Sequence, residues 1–220
     1  MTSGDQDFNK DSSYYQGVRS DLIALAPGIH GRVLEIGCAE GLTMEYLASR
    51  YNCSVAGLDY CENAIATARG KGYEVYKCNL NDEELPFSEC EFDFVLIGDV
   101  LEHLYDPWSV LAAIVRVLKD DGTILISIPN VKHYTLLKDL VLRDRWQYCE
   151  SGLLDVTHIR FFTGEGVKQL ISRSGLEVSV LAYNIVQSRF MKILNRLCFR
   201  RLHSFLVFHY LVAAKKRHRG

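Results

Sequence analysis

The stretch Val33-Leu-Glu-Ile-Gly-Cys-Ala-Glu-Gly41 holds the residues whose types and spacing say most about chemistry. A short apolar run leads into a turn of small residues and then into a helical pattern from Leu42 to Arg50. A turn of that kind, between a strand and a helix, lets a nucleotide-type cofactor approach the backbone closely. Gly37 and Gly41 with Ala39 between them do not give the G-x-G-x-x-G spacing that a pyrophosphate requires, so a dinucleotide is disfavoured. Further along, Gly57-Leu58-Asp59 puts a carboxylate at the end of the next strand, where it can accept hydrogen bonds from both hydroxyls of a ribose.

These residues need a frame. The 220 residues, 48% hydrophobic and 24% charged with only 4 prolines, fit one domain that can bury a sizeable core. Apolar runs alternate with helical patterns, which implies right-handed crossovers and a parallel sheet in an α/β fold. The spacing predicts a helix over 12–26, then strand 32–36, helix 42–51, strand 54–58, helix 61–71 and strand 74–78. Strand 92–97 and helix 107–118 follow, the helix closed by Asp120-Asp121-Gly122, and strand 123–128 is stopped by Pro129. Residues 129–163 break the rhythm and read as an insertion capping the carboxyl ends of the strands, where open α/β sheets bind ligands. Helix 164–174, strand 176–182 and the apolar run 205–214 complete seven strands, the last antiparallel to its predecessor.

The pattern Glu35-x-Gly37-x-x-x-Gly41 resembles the first motif of the class I S-adenosylmethionine (SAM) dependent methyltransferases, and the likeness extends in correct order over about residues 30–130. It implies a Rossmann-like, mostly parallel seven-stranded sheet with helices on both faces, SAM as cofactor and S-adenosylhomocysteine as product. The positions matching the family's cofactor site are Glu35, Gly37, Cys38, Ala39 and Gly41, then Asp59 and Tyr60. Asn79 and Leu80 follow the third strand, where the family often has an acid that accepts from the adenine amino group. Gly98, Asp99, Val100 and His103 follow the fourth.

Because a methyl on a sulfonium is already activated, the protein must mainly position the acceptor, and supply a base if that acceptor is a hydroxyl. The run Asp155-x-Thr157-His158-x-Arg160 and its surroundings resemble a subgroup acting on small molecules, many of them in saccharide or natural-product biosynthesis. That resemblance implies O-methylation of a saccharide or similar hydroxylated metabolite. His158 is the preferred base and His133 the second candidate; Asn130, Arg145, Trp146, Tyr148 and Arg160 are the candidate substrate contacts. The arginines suit an anionic group such as a nucleotide-sugar phosphate, or else pair with Asp155 and Asp144. The aromatic residues suit a sugar ring or else a small core of the insertion itself.

Charge is uneven. The total is −2, yet residues 178–220 hold nine Lys and Arg and no Asp or Glu. Within 187–203, Arg189, Lys192, Arg196, Arg200 and His203 share one helical face, a pattern suited to packing on the sheet or to peripheral contact with anionic lipid through 187–219. Nucleic acid as substrate is disfavoured, since Gly98-Asp-Val-Leu-Glu-His lacks the Pro-Pro-aromatic sequence of enzymes that methylate exocyclic amines. N- or C-methylation of a small metabolite or quinone precursor, and a non-catalytic SAM-binding partner role, remain as alternatives. Seven cysteines, none closer than eight residues to the next, give neither a zinc motif nor a disulfide framework. No metal is expected. The N-terminus carries no secretory pattern and no apolar run reaches membrane-spanning length, so a soluble cytoplasmic protein is expected.

Overall fold

A computed structural model describes residues 17–185, 193, 195–198 and 201–217. Its elements run α1 (Ser20–Ile23), β1 (Gly31–Ile36), α2 (Leu42–Arg50), β2 (Cys53–Asp59), α3 (Glu62–Gly70), β3 (Glu74–Lys77) and β4 (Phe92–Gly98). A 3-10 turn, Leu101–His103, then leads to α4 (Pro107–Val117), β5 (Leu118–Pro129), α5 (Tyr134–Arg143), α6 (Gly164–Arg173), β6 (Leu176–Ile185) and β7 (Val207–Lys216). The seven strands form one sheet in the order β3-β2-β1-β4-β5-β7-β6. The first five are mutually parallel, and β7 runs antiparallel to both β5 and β6.

Helices cover both faces, so the central strands are apolar on both sides rather than alternating. Within β1, Leu34 and Ile36 join Val95, Ile97, Leu111, Val167 and Leu170 on one side of the sheet, while Val33 joins Leu22, Leu47, Leu96 and Leu125 on the other. The α4 start is fixed by Asp106, whose side chain accepts from the Ser109 N–H, and by Pro107 in the first turn, where no N–H is needed. The chain leaves β1 and β4 in opposite directions along the sheet, and that divergence opens a crevice at their carboxyl ends.

Three elements differ from the sequence reading. Of the helix expected over 12–26, residues 12–16 lie outside the described residues, and only Ser20–Ile23 is helical. Asp120-Asp121-Gly122 does not close a helix: β5 already starts at Leu118, paired with Phe92, and absorbs the polar residues where its register against β4 shifts. The insertion contains a ten-residue helix, α5, which the apolar pattern did not reveal because only Leu136 of it is buried. The basic helix read over 187–203 lies mostly outside the described residues; at its end His203–Phe205 forms a 3-10 turn. No helix among the described residues is long and apolar enough to cross a membrane.

Candidate active site

The crevice is a cavity of about 660 Å³, within the range that takes a cofactor or drug-sized ligand. Each strand end contributes to its wall. From β1 and its turn come Glu35, Gly37, Cys38 and Ala39; from β2, Asp59 and Tyr60; from the end of β3, Asn79 and Leu80; from β4 and the following turn, Gly98, Asp99, Val100 and His103. Gly41 is not in the wall. It takes φ +77 at the N-cap of α2, where an added Cβ would stand 3.2 Å from Ala68 Cβ, so its part is to start the helix.

The loop is shaped by hydrogen bonds from its own backbone. Asp59 Oδ2 accepts from the Ala39 N–H at 2.8 Å and Oδ1 from the Cys61 N–H at 2.9 Å, so one carboxylate ties the β1 turn to the β2 turn. A carboxylate has about four lone-pair sites, so capacity remains for a ligand hydroxyl. Asn79 is tied in the same way: its Oδ1 accepts from the Asn81 N–H and its Nδ2 donates to Asp82. Gly37, at φ +73, has no room for a Cβ, which would meet Val100 Cγ2 at 2.7 Å. Ala39 adopts φ +45, a left-handed conformation that a methyl-bearing residue takes at a cost of roughly 1–2 kcal/mol.

Glu35 is buried, and its Oε2 has no hydrogen-bond partner among the described residues. Burial pushes its pKa up to about 8, against smaller opposing effects from the Thr43 hydroxyl and the Arg19 charge. A buried, unpartnered carboxylate oxygen in a cavity wall is an acceptor suited to an ammonium group.

The opposite end of the cavity is built differently. Asp99 takes φ +54, and Ser127 holds it there by donating to Oδ1 at 2.6 Å and accepting from the Asp99 N–H. Arg19 reaches across from the N-terminal side to donate to Asp99, Asp21 and Ser127. From β7, His209 brings its Nε2 to 3.7 Å from Asp99 Oδ1 and lines the cavity beside Asn184 of β6, its register partner. Burial favours a proton on Asp99, but the Arg19 and His209 charges and the Ser127 hydrogen bond more than offset it, and the carboxyl stays below its ordinary range. His209 is pushed below the ordinary histidine value, mainly by burial and only partly countered by Asp99.

The residues assigned to substrate and catalysis from sequence are placed elsewhere, with one neighbouring exception. Thr157 is the sole residue of the 129–163 insertion in the cavity wall. His158 does not line the cavity; it is buried behind His103, ring against ring at 4.7 Å, with its Nε2 3.8 Å from Glu102. His133 is also buried away from the cavity, at the N-cap of α5, with its Nδ1 2.8 Å from the Thr135 hydroxyl and its ring on Phe208. Asn130 is fully buried and donates to the carbonyls of Ser204 and Val207, holding the insertion to β7. Arg145, Trp146 and Tyr148 are exposed beyond α5, and Trp146 packs edge-on against Phe161 of the insertion itself. Arg160 donates to the Tyr105 carbonyl rather than pairing with Asp155, whose Oδ1 is taken by Thr157. Most of these side chains hold the insertion in place: Trp146 and Thr157 bond or pack within it, His158 and Arg160 face the 101–105 turn, and Asn130 and His133 face the β7 region.

A family model described as a methyltransferase domain matches residues 13–180. The chain belongs to that methyltransferase family. Its cofactor is SAM. A Mycobacterium tuberculosis protein named as an S-adenosylmethionine-dependent methyltransferase is 36% identical over 163 residues, covering 69% of this chain and 59% of that protein. A ubiquinone biosynthesis O-methyltransferase of Dinoroseobacter shibae is 32% identical over 152 residues, covering 66% of this chain and 60% of its own length. The chain spans between half and three fifths of the length of the curated relatives it matches. The solved structure of a SAM-dependent methyltransferase from Archaeoglobus fulgidus superposes with a TM-score of 0.66 at 20% identity, covering 90% and 92% of the two chains, which shows the shared fold.

The cavity of this methyltransferase fits the cofactor. Asp59 has lone pairs for the ribose hydroxyls, Asn79 stands at the end of β3 for the adenine, and the orphan Glu35 oxygen suits the methionine ammonium. Sequence reasoning missed Arg19, Asn184 and His209 in the wall. Arg19 and Asn184 belong to no motif. His209 had one signal, a lone imidazole inside the apolar run 205–214.

Proposed function

We propose that this methyltransferase O-methylates a small hydroxylated acceptor, with His209 as the base. The observation that carries the reading is the Asp99–His209 pair at the end of the cavity away from Asp59 and Asn79. Burial keeps the imidazole neutral near pH 7, which is the form that can accept a proton, and the Asp99 carboxylate beside it stabilises the imidazolium that results. SAM, when bound, supplies a methyl group already activated on a sulfonium. The acceptor oxygen then forms its bond to the methyl carbon as the carbon–sulfur pair returns to sulfur, and His209 takes the hydroxyl proton. Asn184 and Thr157, both in the cavity wall, offer an amide and a hydroxyl oxygen that can still accept for orienting the acceptor. A saccharide or related biosynthetic intermediate fits the resemblance of the 155–163 run, and a phenolic quinone precursor fits the ubiquinone O-methyltransferase relatives; both present a hydroxyl.

The test is S-adenosylhomocysteine production against nucleotide sugars, phenols and RNA, comparing wild type with His209→Asn. Turnover on a hydroxylated small molecule that collapses in the variant while SAM affinity is kept supports the reading. Turnover on RNA, or full activity of the variant, overturns it.

A further inference from the structure

Behind the acceptor end of the cavity, the 3-10 turn after β4 and the 155–160 loop bring together three side chains of metal-ligand type. Glu102, His103 and His158 each offer one donor atom, and the three atoms lie within 4.8 Å of one another. Glu102 is completely buried, yet neither of its carboxylate oxygens has a hydrogen-bond partner among the described residues. His158 Nε2 stands 3.8 Å from Oε1, too far for a hydrogen bond. Buried polar atoms in folded proteins are almost always partnered, so two orphan oxygens on one buried carboxyl group point to a partner not supplied by the protein.

We propose that Glu102, His103 and His158 bind a first-row divalent cation, zinc being the class that two imidazoles and one carboxylate suit best.

The backbone orients both rings for that task. His103 Nδ1 faces the Thr157 carbonyl at 3.1 Å and His158 Nδ1 faces the Leu153 carbonyl at 3.3 Å. A carbonyl only accepts, so Nδ1 carries the proton in each neutral ring and Nε2 is the nitrogen with the lone pair, the usual state of a metal-bound histidine. The loop carrying His158 is fixed to the turn carrying the other two ligands: the Ile159 and Arg160 N–H groups both donate to the Glu102 carbonyl, at 3.0 and 2.9 Å. Asp155 closes the loop by accepting from the Thr157 N–H and hydroxyl. Zinc ligands at about 2.0–2.1 Å from the ion lie roughly 3.3 Å from each other, so the widest gap must close by about 1.5 Å, within reach of side-chain rotation.

His103 and Thr157 also line the cavity, so a coordination position facing it would receive the acceptor hydroxyl and ease its deprotonation toward His209. That consequence rests on the proposed O-methylation; the site itself does not.

The experiment is titration of chelator-treated full chain with Co2+, followed by visible absorption, and then displacement by Zn2+ measured by calorimetry. One Co2+ per chain, displaced by Zn2+, is expected, with Glu102→Gln and His158→Ala each weakening binding by about 10–100-fold or more and exposed His30→Gln leaving it unchanged. Circular dichroism establishes that the variants fold, and X-ray absorption on the zinc-loaded wild type provides a measurement that needs no variant: two imidazoles and a carboxylate are expected. Absence of stoichiometric binding to wild type, a coordination shell without two imidazoles, or binding retained in folded His158→Ala overturns the proposal. None of these results touches SAM binding or methyl transfer, so failure of the metal site is distinguishable from failure of the proposed function.

Discussion

The two ends of the cavity are built on different plans. At the cofactor end, each functional group sits at or just past the carboxyl end of a strand, and β1, β2 and β3 supply Glu35, Asp59 and Asn79 in chain order. At the acceptor end, Arg19, Asp99, Ser127, Asn184 and His209 come from five separate segments, and His209 and Asn184 reach the other three because β7 is inserted between β5 and β6. The first plan ties its groups by backbone hydrogen bonds, as Asp59 does with the N–H groups of Ala39 and Cys61; the second ties them through side chains, as Asp99 does with the charged Arg19 and the Ser127 hydroxyl. A fold shared by many proteins can hold the first constant while varying the second, since only the second depends on side chains that no turn dictates.

The comparison breaks most visibly at His209. Replacing it by asparagine should lower turnover about 10²–10⁴-fold, the usual contribution of a general base, with SAM affinity within a few-fold of wild type. If SAM affinity fell in parallel with turnover, the two ends would not be separable and His209 would belong to the cofactor half.

The next effect is on stability, and it belongs to the cofactor end. Glu35 has its pKa raised to about 8 in the folded chain from an ordinary 4.5, so the folded state holds the proton that the unfolded state has lost between those values. Its contribution is therefore fully present below about pH 4.5, declines as pH rises, and is gone above about pH 8, a change of up to about 5 kcal/mol. In Glu35→Gln that decline should vanish. Denaturant unfolding of the cofactor-free protein at pH 5 and pH 9 measures it, and an unchanged pH slope in the variant would assign the decline to other groups.

How much of this could be read from the sequence follows the same division. Gly37, Asp59 and Asp99 were expected in the cavity wall, and lie there, because each follows an apolar run and a strand end is visible as the place where such a run stops. That Asp99 would stand with Arg19 and His209 rather than with the cofactor groups was not legible. His209 sits inside an apolar run, and nothing local says that the antiparallel β7 brings it to Pro129 and Asn184 at the strand ends. His158 was chosen for its polar, aromatic surroundings, but those residues bond to one another: Thr157 to Asp155, Arg160 to Tyr105, Trp146 to Phe161. A segment rich in hydrogen-bonding side chains looks the same in sequence whether it faces a ligand or itself. The α5 helix was hidden for a related reason, since Leu140, Val141 and Leu142 are all exposed and blur the apolar stripe that marks a helix.

A smaller effect probes the cofactor end itself. Asp59→Ala removes the acceptor for two loop N–H groups and the lone pairs that would receive ribose hydroxyls. Charge-assisted hydrogen bonds are worth about 1.5–3 kcal/mol each, partly replaced by water here, so SAM affinity should fall roughly 10–100-fold by calorimetry. Turnover at saturating SAM should fall far less than in His209→Asn. Equal losses of saturated turnover in the two variants would contradict the division of labour.

The smallest expected effect tests how firmly the backbone of the cofactor loop is held. Ala39 pays for its left-handed conformation while its N–H is fixed to Asp59, and glycine takes that conformation without the steric penalty. Glycine also gains freedom in the unfolded chain, which cancels part of the relief. Ala39→Gly should therefore stabilise the protein by about 0.5–1 kcal/mol, a rise of a few degrees in melting temperature for a chain of this size. The matching change at the acceptor end, Asp99→Gly, relieves a similar φ but removes the partner of Arg19 and His209, and should destabilise. Opposite signs at two residues with nearly the same φ would show that the loop is held by its backbone and the acceptor end by its charges; like signs would erase that distinction.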